Sequence, residues 1–142
     1  MTGDVAHLLK VASNEISREI NSFAHKYGLT GTQVQIIHYL ANNHQDDIYQ
    51  KNIEHEFNIR RSTATNILKT MEKNGLILRC TVQNDSRLKR IVLSDKSKSM
   101  QDSIENFMDQ NDQMILSTLG ALERHSFVHA LKKIPPKIKK VR

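Results

Sequence analysis

Apolar residues return every three or four positions at the start of the chain: Val5, Leu8, Leu9, Ala12, Ile16, Ile20, Phe23 and Tyr27. That period predicts an amphipathic helix over residues 4–27, with Gly28 as its C-cap. Thr30 and Gln33 form a T-x-x-Q capping box. It opens a second helix carrying Val34, Ile37 and Leu40, which closes at residues 42–45. Ile48-Tyr49 suits a short strand, and residues 50–57 a brief helix with Ile53 and Phe57 inward. Asn58-Ile59 is a tight turn, and residues 60–74 are helical until Gly75 stops them. The period then shortens. Residues 76–83 and 88–93 are rich in β-branched residues, and Asn84-Asp85-Ser86-Arg87 between them is a turn cluster that suits a hairpin loop.

Beyond the hairpin, Ser94 caps a further long helix with Met100, Ile104, Phe107, Met108 and Ile115 on its apolar side. Gly120 breaks it. A last helix carries Leu122, Phe127, Leu131 and Ile134, and Pro135-Pro136 ends regular structure and leaves a basic tail over residues 137–142. Met100, Met108 and Met114 read as plain core. The predicted fold is mainly α with a small β wing: a winged helix-turn-helix embedded in a helical scaffold.

Within residues 60–74 the two sides of the helix differ sharply. Ala64, Ile67, Leu68 and Met71 share the apolar face, while Arg61, Ser62, Thr65, Asn66, Lys69 and Lys73 fall opposite, with no Asp or Glu among them. An ordinary solvated face mixes acids with bases. A face of hydrogen-bonding groups and cations suits a major groove, where Arg pairs with guanine and Asn with adenine, and Ser or Thr serves base edges or phosphate. Arg87, Lys89 and Arg90 cluster at the tip and returning strand of the hairpin. A cation on a projecting loop can enter a narrow minor groove, and Asp85, two residues before Arg87, would then brace the guanidinium.

Charge follows the same outline. Residues 1–49 hold three Lys/Arg against five Asp/Glu, residues 50–96 ten against five, and residues 97–142 eight against five, within a net charge of +6. A basic middle is the footprint expected for a polyanion. Aromatic residues are only 5% and Trp is absent, too few for stacking single-stranded bases. The single cysteine cannot form an internal disulfide, which fits a reducing cytoplasmic setting. No apolar run reaches membrane-span length, and Asp4 and His7 interrupt any signal-peptide layout.

Three stretches resemble the MarR family: residues 49–54 (YQKNIE), residues 61–68 (RSTATNIL) with residues 71–77 (MEKNGLI), and residues 85–94, which look like the family's D-x-R wing. The resemblance covers about residues 49–95; the flanking helices match in layout. It implies a single domain over residues 1–142 whose helices at 4–27 and 97–134 hold a homodimer around a DNA-binding lobe at 30–95. It further implies an approximately palindromic double-stranded DNA operator, and repression or, less often, activation. A small aromatic effector would bind between the dimer helices and the DNA-binding lobe. The DNA-contacting set is then Arg60, Arg61, Ser62, Thr63, Thr65, Asn66, Lys69, Asp85, Arg87, Lys89 and Arg90. One departure stands out. Arg60 occupies a position where the family commonly has a small polar capping residue, so either the N-cap is weaker or Arg60 meets a phosphate.

Other chemistry is thin. His125 and His129 stand one helical turn apart, a spacing that can hold zinc, and some similar proteins sense zinc. Without a carboxylate or Cys at a partner spacing, two histidines are not a site. Cys80 reads as a small buried hydrophobe; family peroxide sensors carry their cysteine in the first helix, and this chain has none there. There is no Ser-His-Asp order, phosphate loop or H-E-x-x-H, so neither enzyme activity nor a cofactor is expected. The rival reading is a winged helix used for protein–protein assembly, against which the acid-free face argues.

Overall fold

The computed structural model describes residues 3–82 and 85–142, with the side chains of Asp85 and Ser86 left out. Seven helices and two strands follow in the order α1 (Val5–His25), α2 (Gly31–Asn42), α3 (Gln50–Glu56), α4 (Arg61–Lys73), β1 (Ile77–Val82), β2 (Asp85–Leu93), α5 (Asp95–Lys98), α6 (Gln101–Leu116) and α7 (Ala121–Val141) among the described residues. The expected α-rich winged helix is the observed architecture.

Local chemistry sets most of the boundaries. Asp4 caps α1 by accepting from the His7 amide at 3.1 Å. The Thr30–Gln33 box closes both ways, Gln33 N–H to Thr30 Oγ1 at 3.1 Å and Thr30 N–H to Gln33 Oε1 at 3.0 Å. Helices α1, α3 and α4 all end in one device: a left-handed residue whose successor donates back to a carbonyl in the last turn. Those residues are Gly28, Asn58 and Gly75, with φ of 70°, 52° and 72°, and the closing bonds are Leu29 to Ala24, Ile59 to Glu54 and Leu76 to Met71. Asn tolerates that conformation better than other side chains; here it makes the tight turn between α3 and α4.

The core of the lobe lies between α2, α3, α4 and the wing. Val34, Ile36 and Ile37 of α2, Ile53 of α3, and Ala64, Leu68 and Met71 of α4 are fully buried, as is Ile77 of β1. Helix α1 adds Ile20 and Ala24. It crosses α2 so closely that a Cβ on Gly31 would fall 2.2 Å from Asn21 Oδ1, the atom that accepts the Gly31 amide at 3.1 Å. Tyr39 meets Phe57 edge-on at 5.8 Å and ties α2 to the end of α3. Burial, then the charges of Glu56 and Asp46, push its phenol above the ordinary value. Glu105 of α6 receives Asn42 Nδ2 at 2.7 Å and His38 Nδ1 at 2.9 Å.

Strands β1 and β2 pair antiparallel from Ile77↔Leu93 to Thr81↔Lys89, and the register then jumps to Val82↔Asp85. Residues 85–87 therefore belong to a strand rather than to the expected turn, and 86–88 form its irregular segment. Asn84 lies outside the described residues. Ile48 makes no strand, because Tyr49 already caps α3; its carbonyl nonetheless accepts the Ile91 amide at 2.7 Å.

Three further expectations are corrected. Ser94 caps a helix of only four residues, Asp95–Lys98, and α6 starts afresh at Gln101. The serines explain the break. Ser99 Oγ donates to the Lys96 carbonyl at 2.6 Å, a local bond that competes with helix continuation. Pro135 and Pro136 do not end the last helix, which runs to Val141. Their fixed φ is helical, and the cost is the two amide donors that the carbonyls of Leu131 and Lys132 would otherwise accept. Met114 is exposed rather than core.

The chain divides into two compact units, one ending at Glu105 and one spanning Asn106–Arg142. No residue of α7 in the second unit is buried, and the rings of His125 and His129 stack nearly parallel along it, 6.3 Å apart.

Candidate nucleic-acid interface

Helix α4 turns its inner face to the core through Ala64, Leu68 and Met71, with Ile67 half-buried beside them. At roughly 100° per residue, Ser62, Asn66, Lys69 and Lys73 then point straight away from the core, and all four are exposed. Arg61, Thr65 and Glu72 follow along one flank, Thr63 and Thr70 along the other. The outward row is free of acids, as the sequence pattern indicates.

The flank of Arg61 and Thr65 faces a cleft of about 420 Å³ between α3, α4 and the wing. Gln50, Lys51 and Glu54 of α3 line one side, and Arg79, Arg87 and Lys89 of the wing line the other. Four sequence-predicted residues thus meet in one concavity: Arg61, Thr65, Arg87 and Lys89. Arg60, Ser62, Thr63, Asn66 and Lys69 lie exposed at and beyond the start of α4. Arg60 is the N-cap residue and makes no side-chain cap bond, as expected of a side chain with no acceptor.

Arg90 goes elsewhere. Successive strand residues face opposite ways, and Arg90 pairs with Asp47 at 3.6 Å on the side away from Lys89. There it borders a second cavity of about 440 Å³ walled by Leu40, Ile48, Ile91 and Leu93, with Lys98 at its rim. The Asp85 carboxylate lies outside the described side chains, so its brace on Arg87 stays an expectation.

Three residues of the cleft escape sequence reasoning. Gln50 Nε2 donates to Thr65 Oγ1 at 2.8 Å. Arg79 pairs with Glu72 at 3.7 Å, and its Nε is buried without a hydrogen-bond partner. Glu54 accepts from Gln50 at 3.2 Å. The Gln50–Glu54 spacing of four was visible along the chain; the links to α4 and β1 are tertiary. Glu72 is the one acid on the cleft flank of α4, and Arg79 offsets its charge.

Among the described residues, no three His, Cys, Asp or Glu side chains gather where a metal could sit. None of their helices is long and apolar enough to cross a membrane. A row of donors and cations beside a basic cleft can hold a polyanion and hydrogen-bond to an edge presented between its charges.

Known proteins share this fold. Residues 27–88 match the sequence profile of the MarR family. The transcription regulator MarR from Oenococcus oeni PSU-1 is 38% identical and superposes with a TM-score of 0.85, over 92% of this chain and 98% of that one. MepR of S. aureus, solved as a DNA complex, has the same fold at 22% identity, with a TM-score of 0.86 over 96% of this chain and 99% of its own. The HTH-type transcriptional regulator SarZ of Staphylococcus haemolyticus (strain JCSC1435) is 24% identical over 110 residues, covering 78% of this chain and 74% of that protein. The chain belongs to the MarR family of transcriptional regulators.

Proposed function

We propose that the chain is a cytoplasmic, homodimeric repressor that binds a palindromic double-stranded DNA operator through α4 and the wing, and is released by a small aromatic acid. The observation that carries this reading is the acid-free row Ser62, Asn66, Lys69 and Lys73, flanked by the cleft cations Arg61, Arg87 and Lys89. The DNA complex of MepR, whose fold is the same, supports it.

Apolar side chains left uncovered in one chain support the dimer. Val5, Leu8 and Val11 on α1 are exposed, as are Leu122, Leu131, Ile138 and Val141 on α7, Leu122 at 94%. So much exposed apolar surface on helices outside the winged core marks an interface between copies. A dimer spanning two successive major grooves also covers promoter DNA without needing any further element, which favours repression. For the effector, the cavity bordered by Arg90 and Lys98 offers apolar walls for a ring; Asp46 and Asp47 share its lining and Asp47 already pairs with Arg90, so Lys98 is the cation that would meet a carboxylate.

The test is selection of duplexes from a randomised pool, with light scattering of the same sample. It should return an inverted repeat whose half-site centres lie about 10 base pairs apart, and a particle of about twice the chain's 16.3 kDa. A selected site without internal symmetry, or a monomer that still binds, would defeat the reading. An assembly module would show only weak, salt-sensitive background.

The wing supplies a separate prediction. Arg87 is exposed, so truncating it should shift folding stability by no more than about 0.5 kcal/mol. Arg87→Ala should nonetheless weaken specific binding by about 1–3 kcal/mol. Removing the Asp85 acid raises the positive charge, so plain electrostatics expects Asp85→Ala to tighten binding, whereas a brace on Arg87 expects it to weaken. Titration of both variants against the selected operator decides: tighter binding by Asp85→Ala with a neutral Arg87→Ala would remove the wing from the interface.

A further inference from the structure

The Gln50 carboxamide reaches from α3 into the first turns of α4, where Nε2 lies 2.8 Å from Thr65 Oγ1 and 3.4 Å from the Arg61 carbonyl. Its other acceptor is Glu54 Oε2 at 3.2 Å, one turn along α3. We propose that Gln50 is a positioning residue for the recognition helix, and that Thr65 serves sequence preference through Gln50 and not by reading a base. This rests on the DNA-binding reading above and assigns roles within it.

The donors and acceptors here are already committed. A threonine hydroxyl has one proton and two lone pairs. The Thr65 proton goes to the Arg61 carbonyl at 2.9 Å, and Gln50 takes one lone pair. No proton is left for a base acceptor or a phosphate unless the Thr65–Arg61 bond is given up, and the one remaining lone pair can only accept from a base amino group. The Gln50 amide has two protons, and Thr65 and Glu54 hold the two shorter contacts. Thr65 lies between Ser62 and Asn66 on the same helical turns, and those two side chains are exposed on the outward row.

Base-edge hydrogen bonds need donor and acceptor within about 2.7–3.2 Å, so a small roll or slide of α4 would misalign Ser62 and Asn66 together. Gln50 holds the start of the helix against that motion. The Glu72–Arg79 pair holds the other end to the wing. Phosphate contacts through flexible Lys69 and Lys73 tolerate the same motion, which separates a positioning loss from an electrostatic one.

The experiment uses the full chain with Gln50→Ala, Gln50→Met, Thr65→Ala, Thr65→Ser and the double variant Gln50→Ala/Thr65→Ala. Each is put through duplex selection and titrated against the wild-type site and random duplex, with a urea denaturation curve as the folding control. Gln50→Met keeps the side chain's length, so it reports the missing bond even where the alanine variant folds poorly. Gln50→Ala, Gln50→Met and Thr65→Ala should each relax the selected motif in the same way and lower operator affinity about three- to tenfold, with random-duplex affinity unchanged. The double variant should be no weaker than either single one, and Thr65→Ser should restore the motif. If Thr65→Ala alters preference at one base position while Gln50→Ala leaves the motif intact, Thr65 reads that base and the proposal fails. Additive losses, or equal losses on operator and random duplex, overturn it too. A wild-type chain that selects no motif would instead remove the DNA reading itself.

Discussion

Raising monovalent salt from about 50 to about 200 mM should weaken operator binding roughly a thousandfold or more, with a log–log slope on the order of −5 or steeper. Each phosphate neutralised by Lys or Arg releases condensed counterions from the duplex, and the slope counts those phosphates. One protomer offers Arg60, Arg61, Lys69, Arg87 and Lys89 on or beside the α4 face, and a dimer doubles the set. Lys69→Ala should make the slope shallower by about one for each phosphate left without its lysine and weaken all sequences alike, whereas Asn66→Ala should relax base preference at an unchanged slope. Arg90→Ala is the internal control. Arg90 is turned from the cleft and paired with Asp47, so its removal should leave the slope where it was. A nearly flat salt response would mean that the basic middle of the chain is not a phosphate-binding surface.

What could be read from the chain was whatever depends on near neighbours. The capping box at Thr30 and Gln33, the stops at Gly28 and Gly75, and the two faces of α4 all follow from residues within a turn or two of one another, and each stands in the structure. Packing between elements was another matter. The Gln50–Thr65 bond, the Arg79–Glu72 pair and the turning of Arg90 to Asp47 depend on how α3, α4 and the wing meet. No period or spacing carries that. Thr65 shows the consequence: helical phase alone put it with the outward donors, while its hydroxyl is engaged on α3. The wing went astray by two or three residues because Val82 pairs with Asp85, where a turn at Asn84–Arg87 matched the composition equally well. Pro135-Pro136 misled for a related reason. A proline signals a missing donor, but whether the helix survives depends on the residues beyond it, and here the chain stays helical through Lys139 and Lys140.

Leu68→Ala should destabilise the protein by about 2–5 kcal/mol. Leu68 is completely buried at the centre of the inner face, with Ala64 and Met71 one turn to either side and equally buried. Removing the isopropyl end of its side chain leaves a void lined on all sides, and the neighbours cannot collapse far, since α4 is held at one end by Gln50 and at the other by Arg79. The adjacent residue makes the comparison. Lys69→Ala changes an exposed side chain, so it should leave stability within about 0.5 kcal/mol while weakening DNA binding. Both variants are to be unfolded in urea at one protein concentration, because a dimer's apparent stability depends on it. Operator duplex at about a hundred times its Kd should add back roughly 2.7 kcal/mol to any variant whose outer face is intact. Leu68→Ala should therefore be unstable but rescued by DNA, and Lys69→Ala stable but rescued less at the same duplex concentration. If the two swap behaviour, the inner and outer faces of α4 have been exchanged, and with them every role assigned on the helix from Arg61 to Lys73.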